Sequence, residues 1–328
     1  MTIRHPCCIY LGDELAHYAF GDNHPFGPLR HDAFKNALYT QKLDQSVDIL
    51  PPLMTTQDVL ELFHRHEYIE KVKHMSLFGT GYLDMGDTPA FVGMYEAVLN
   101  VAGSVCNAID RLMADEYRRA FIPIAGLHHA RRHTAAGFCV INDCGIAIEY
   151  LRDKYSISRV AYIDIDAHHG DGVFYSFADD PDLIFVDFHE DGRYLYPGSG
   201  DISETGNGDA KGTKLNIPVP PGANDELFQT LWPRAEEFIR KARPEFVLVQ
   251  CGADSIEGDP ITHMAYSASS HSHALERICV IADEFCNGRV VAMGGGGYNL
   301  DNIASAWTAV VNSLVKADQS LISLPASG

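Results

Sequence analysis

The sequence predicts an α/β protein built on a mostly parallel sheet with helices on both faces. Three observations lead there. Continuously apolar, β-branched runs recur along the chain, as strands buried on both faces require. They alternate with longer amphipathic stretches of helical period. The polar, chemically loaded residues fall just after the apolar runs, where open α/β sheets place their ligand sites.

Strands are expected at residues 7–11, 120–124, 159–164, 183–188, 246–250 and 289–293. Each is short, apolar and bounded by glycine or polar residues, as in Phe246-Val247-Leu248-Val249-Gln250 followed by Cys251-Gly252. Helices are expected at 29–43, 66–77, 89–113, 141–155, 224–243, 270–286 and 302–315. No internal repeat and no linker-like stretch interrupts this alternation, so residues 1–328 read as a single domain. That length is acceptable for one α/β unit.

Composition sets limits on function. Hydrophobic residues make up 46% of the chain, enough for a sizeable core and against disorder. Acidic residues outnumber basic ones 44 to 25, giving a net charge of −19. Such a surface repels nucleic acid and anionic membranes and suits cationic partners, although solubility alone also accounts for it. The eight cysteines are scattered without a CxxC pair, several inside apolar runs, and read as reduced, buried thiols. Residues 1–11 lack the apolar stretch of a signal peptide, and no run reaches the ~20 apolar residues needed to span a bilayer. These features give the expectation of a cytoplasmic protein.

The chemistry concentrates in loops that follow strands. Asp166 and His168 stand two apart in a segment leaving the 159–164 strand, so in extended geometry both side chains point the same way. A carboxylate and an imidazole so placed suit Zn²⁺ or Fe²⁺, and Asp254, just after the 246–250 strand, is the natural third ligand. Three protein ligands leave a coordination position open for catalysis. A lone D-x-H is more often an exposed turn; the density of His, Asp and Gly around this one argues otherwise. His128 and His129 follow the 120–124 strand, and in a loop both can reach one site as base and acid for amide hydrolysis. Asp164 and Asp171 are placed to orient those imidazoles. Taken singly, either histidine of the pair could be structural. Tyr298 follows four glycines, which let backbone approach a ligand while the phenol donates to a developing oxyanion. A phosphate cradle is the competing reading, but no GK[ST] follows.

These segments resemble the histone deacetylase family. The resemblance rests on Gly126-Leu127-His128-His129-Ala130, Gly137-Phe138-Cys139, Asp164-Ile165-Asp166-Ala167-His168-His169-Gly170-Asp171-Gly172, Tyr196-Pro197-Gly198-Ser199-Gly200, Gly252-Ala253-Asp254 and the glycine run through Tyr298-Asn299. More narrowly, the chain is similar to bacterial acetoin-utilisation and acetylpolyamine-deacetylase relatives, from about residue 10 to the last helix. The resemblance implies an arginase–deacetylase fold with an eight-stranded parallel sheet, and Zn²⁺ on Asp166, His168 and Asp254. It implies His129 as general base and acid backed by Asp171, His128 paired with Asp164 as electrostatic tuner, and Tyr298 polarising an acetyl carbonyl. Gly137, Phe138 and Tyr196 would form a narrow channel, Ile261 its rim, and Arg30 an internal acetate-exit cavity.

A monovalent-cation site, K⁺ in the family, maps to Asp164, Asp166 and His168 with Asp187 and Phe188. A second would use carbonyls near Phe177, Asp180 and Leu183. Neighbouring chains shape the channel mouth in polyamine-type relatives, which implies a homo-oligomer. Two departures stand out. Tyr196 replaces the usual Phe, and the loop 81–87 does not align with the segment whose Asp holds a peptide backbone, leaving Asp84, Asp87 or neither for that role.

The resulting expectation is a deacetylase releasing acetate from a small cationic N-acetylated amine such as acetylcadaverine, acetylputrescine or acetylspermidine. Acetyl-lysine protein substrates are the nearest alternative. A dinuclear Mn²⁺ ureohydrolase shares Asp166-Ala167-His168, but Asp171 falls one residue late and Ile256 stands where a second Asp is needed. A silent acyl-lysine binder is opposed by intact His128, His129 and Tyr298.

Overall fold

A computed structural model describes residues 5–21 and 24–322; residues 1–4 of the segment read above for a leader lie outside these. Eight parallel strands form one sheet: β1 (Cys7–Tyr10), β2 (Asp48–Leu50), β3 (Arg119–Ile122), β4 (Val160–Asp164), β5 (Leu183–Glu190), β6 (Lys214–Val219), β7 (Phe246–Gln250) and β8 (Val290–Met293). Their order is β2-β1-β3-β8-β7-β4-β5-β6, the arginase–deacetylase arrangement implied above. The central strands are buried along their whole length, which is why they read as unbroken apolar runs rather than as alternating ones.

All six expected strands are present, within two residues of their expected ends, and the two unexpected ones lie at the edges. β2 is only three residues long, too short to stand out from its surroundings. β6 contains Pro218, which argues against a central strand but is tolerated on an edge, where one side of the backbone has no neighbour.

Helices form two layers. Leu300–Ile322 packs on Leu29–Thr40 and Ala268–Phe285, and the last of these packs on Asp225–Ala242. Met94–Met113 packs on Asp143–Tyr155 and His66–Ser76. The helix expected from residue 89 begins only at Met94, because Gly93 takes a left-handed conformation (φ +82°) that residues ahead of a helix adopt readily when they lack a Cβ. The short helix Asp171–Ser176 was not expected; six residues carry too little periodicity to detect.

The chain threads β7 and β8 between β3 and β4, so early and late segments share the sheet centre. The loops leaving β3, β8, β7 and β4 therefore emerge side by side at one edge. Those are the four loops that carry His128–His129, the glycine run, Asp254, and Asp166–His168.

Candidate active site

Asp166, His168 and Asp254 converge in a buried cluster whose ligand atoms all lie within 4.8 Å of one another. His168 Nδ1 sits 3.1 Å from Asp166 Oδ1 and 3.2 Å from Asp254 Oδ2. Tetrahedral ligands at ~2.1 Å from a Zn²⁺ would be separated by about 3.4 Å, so the spacing fits one ion. The other carboxylate oxygens are already committed. Asp166 Oδ2 accepts from Gln250 Nε2 (2.7 Å) and from the Gly296 backbone N–H (2.9 Å), and Asp254 Oδ1 accepts from Ala167 N–H (2.9 Å). Asp254 Oδ2 alone is buried without a hydrogen bond, an orphan that a metal would satisfy. Burial, reinforced by the charge of Asp166, raises the Asp254 pKa to about 7. Two crowded buried carboxylates are a set that a divalent cation neutralises.

Beside them stand two histidine–aspartate pairs. His128 Nδ1 lies 2.7 Å from Asp164 Oδ2, and His129 Nδ1 lies 2.8 Å from Asp171 Oδ1. The two Nε2 atoms face each other at 3.0 Å. The pairs are electrostatically unequal. Burial alone would depress His128, but the Asp164 and Asp166 carboxylates override it and push its pKa up to about 10. For His129, burial and then the positive His128 win over Asp171 and bring it down to about 4. These shifts favour a protonated His128 and a neutral His129, with the His128 Nε2–H directed at the His129 Nε2 lone pair.

The loop bearing these rings is held by residues that sequence reading passed over. Asp143, the first residue of its helix, accepts from Gly126 N–H (2.8 Å) and Leu127 N–H (2.6 Å). Asn142 caps the same helix through Gly145 N–H and donates from Nδ2 to the carbonyls of His128 and Ala130. Tyr162 donates to Asp164 Oδ2 at 2.6 Å, and Arg131 to Asp171 Oδ2 at 3.1 Å. Gln250 had a usable signal, a polar residue ending an otherwise apolar buried strand.

Tyr298 is partly buried, and its backbone N–H donates to Asp259 Oδ2 (2.8 Å), whose Oδ1 accepts from Ile261 N–H (3.1 Å). Burial, with Asp254 and Asp166 nearby, lifts the phenol well above its usual range, so it stays a donor. Its ring meets Phe138 edge-on, with centroids 5.7 Å apart, and Tyr196 packs edge-on to His129 at 5.2 Å. Phe138 thus borders Tyr298, and Tyr196 borders the histidines. Gly137 holds φ +53°, and a Cβ there would strike the His129 ring. Ile261 is half-buried on the turn that Asp259 fixes. Arg30 is fully buried behind the glycine run, donating to Gly297 O (2.8 Å) and Gly295 O (2.5 Å), with its third nitrogen unpaired among the described residues.

Outside the channel, a cavity of about 600 Å³ is lined by Asp84, Asp87, Thr134, Ala136 and Tyr196, among others. The two acids there differ in role. Asp84 Oδ1 accepts from the backbone N–H groups of Gly86, Asp87 and Thr88, so it braces its own loop. Asp87 is exposed, and partial burial of its carboxyl beside Asp84 raises its pKa to about 6. Asp187, expected at a monovalent cation, accepts from Gly170 N–H (2.8 Å) and pairs with His189 Nδ1 (2.6 Å). Phe188 stacks on Trp232 in the core, leaving only its backbone for an ion. The second monovalent site is not open as expected: Lys214 Nζ already bonds the carbonyls of Asp180 and Leu183.

Fold and site together define a hydrolase of the arginase–deacetylase fold. The histone deacetylase domain model matches residues 24–314, and the chain belongs to the histone deacetylase family. Among curated proteins it is 36% identical to the acetoin utilization protein AcuC of Bacillus subtilis, over 89% of this chain and 78% of that one. It is 32% identical to AcuC of Staphylococcus aureus strain MSSA476, over 92% and 80% of the two chains. The HDA15 HD domain crystal structure superposes with a TM-score of 0.88, covering 94% of this chain and 89% of that one at 23% identity, a likeness of fold. No helix among the described residues is long and apolar enough to cross a membrane.

Proposed function

We propose that this hydrolase is a zinc-dependent deacetylase that removes the acetyl group from a small cationic aliphatic amine, an N-acetylated polyamine or diamine. The observation that carries the chemistry is the orphaned Asp254 Oδ2 facing His168 Nδ1, beside one charged and one neutral histidine. Zn²⁺ held by Asp166, His168 and Asp254 would supply Lewis acidity, polarising the amide carbonyl and acidifying the attacking water. His129 takes the proton from that water through Nε2, its Nδ1–H oriented by Asp171, and returns it to the leaving nitrogen. Tyr298 donates its phenolic hydrogen to the oxyanion of the tetrahedral intermediate. His128, charged through Asp164, stabilises the negative charge that develops nearby.

The substrate class rests on the mouth. Asp87 is exposed on the outer cavity beside Asp84, and the chain as a whole is strongly acidic. A second amino group on the substrate would meet these carboxylates while the aliphatic chain lies between Phe138 and Tyr196. Comparing kcat/KM on acetylcadaverine with that on an acetyl-lysine peptide tests the reading. We expect the diamine to be preferred; a strong peptide preference would replace polyamine with protein substrate and leave the deacetylase chemistry intact.

A further inference from the structure

Lys214 opens β6 with its side chain buried, at 1% exposure. Its ammonium has three hydrogens and three acceptors: Asp180 O at 2.8 Å, Leu183 O at 2.8 Å and Thr213 Oγ1 at 2.7 Å. None of the three is a carboxylate. The nearby Asp180 carboxylate is engaged elsewhere, Oδ2 by Arg152 and Oδ1 by Asp182 N–H. A cation buried among neutral oxygen dipoles, rather than against an anion, is how a protein holds a dehydrated monovalent ion. Two of these carbonyls are those to which the family resemblance assigns a second soluble cation.

We propose that Lys214 is a tethered cation occupying this carbonyl cage, so that the chain closes the connection between the helix Asp171–Ser176 and β5 without taking up a second monovalent ion. The helix carries Asp171, the partner of His129, and the strand carries Asp187. The cage thus pins, from the opposite end of β5, two elements that the site depends on. Burial lowers the Lys214 pKa to about 8, with Asp180 opposing and Arg152 adding to the fall, so the ammonium persists at neutral pH.

The test substitutes Lys214→Ala, which empties the cage, and Lys214→Met, which fills it with an uncharged chain. Melting temperatures of both variants and the wild type are compared in KCl, NH₄Cl and tetramethylammonium chloride at equal ionic strength. Any response of other cation sites appears in all three proteins and cancels in the comparison. Lys214→Ala should regain about 2–4 °C more than the wild type on moving from tetramethylammonium to K⁺ or NH₄⁺. Lys214→Met should gain nothing extra. An alanine variant that responds no more than the wild type overturns the proposal. Should Lys214→Ala not fold in any salt, an ammonium-selective ¹H–¹⁵N spectrum of the wild type decides. A slowly exchanging NH₃⁺ resonance that disappears in Lys214→Met supports the tethered cation, and its absence overturns it.

Discussion

Gly296→Ala isolates the geometry of the candidate metal site from its chemistry. Gly296 needs no unusual backbone angle, since its φ lies outside the left-handed range, so alanine costs little in backbone strain. The added methyl would nonetheless sit 2.8 Å from Asp166 Oδ2 and closer still to Asp254 Oδ2, inside the 3.0 Å limit that real Cβ contacts respect. Neither oxygen belongs to the free end of a long side chain, and both carboxylates are buried and hydrogen-bonded in place. From 2.1 Å, Asp254 Oδ2 would have to retreat by about 0.9 Å to reach that limit, against a ligand-distance tolerance of about 0.2 Å. The Gly296 N–H bond to Asp166 would loosen at the same time. Lost orienting contacts of this kind typically cost about 10–100-fold in metal affinity. The assay is Zn²⁺ competition against a chromophoric chelator, with circular dichroism to confirm that the fold persists. A folded Gly296→Ala protein that binds Zn²⁺ as tightly as wild type would mean the ion does not rest on Asp166 and Asp254.

Tyr298→Phe keeps the ring contact with Phe138 and removes only the donor, so kcat should fall by about 10²–10³ with little change in Zn²⁺ affinity; unchanged turnover would remove the phenol from the mechanism. His64 offers a test of stability against pH. It is buried, accepts from Asn142 N–H at 2.9 Å, and burial brings its pKa down to about 3. Because the folded value lies below the unfolded one, His64 costs the fold nothing above pH ~6.5, and stability drains away as pH falls from there toward 3, by about 1.4 kcal/mol per unit. His64→Gln can keep the acceptor and lacks the titration, so urea unfolding of that variant between pH 6.5 and 4.5 should show a slope shallower by about one proton; equal slopes would count against a neutral His64.

The sheet centre was legible in sequence because complete burial writes itself as an unbroken apolar run, and β4, β7 and β8 are buried throughout. The edges were not, since β2 is brief and β6 carries Pro218. The candidate site was legible for a related reason: Asp166, His168, Asp254 and Tyr298 lie in the loops that leave β4, β7 and β8, where polar residues after an apolar run are conspicuous. What escaped were the supports. Asp143 looks like an ordinary helix start, and only the fold reveals that its two oxygens hold the Gly126–Leu127 backbone. Lys214 looks like an ordinary strand-edge lysine, and its cage is assembled from carbonyls, which no side-chain pattern can advertise. The bracing of the 84–88 loop by Asp84 likewise escaped, because three N–H groups converging on one carboxylate is a property of the turn.

In the mechanism proposed above, the unequal histidines would let one neutral base both accept and release a proton. His129 Nε2 faces a charged His128 at 3.0 Å, so a proton taken by His129 places two like charges in contact inside a buried site. Asp171 offsets part of that cost through Nδ1, enough to let the proton arrive. It does not offset it fully, as the low pKa of His129 records. In that mechanism an imidazolium on His129 would be a poor resting place, and the leaving nitrogen of the tetrahedral intermediate would be the favoured acceptor. Asp164 pairs with His128 and favours its charged form, with Tyr162 donating to the same carboxylate oxygen to hold its position. On this view the pair works as one device. His128 would supply the repulsion that keeps His129 a carrier of protons and not a sink for them.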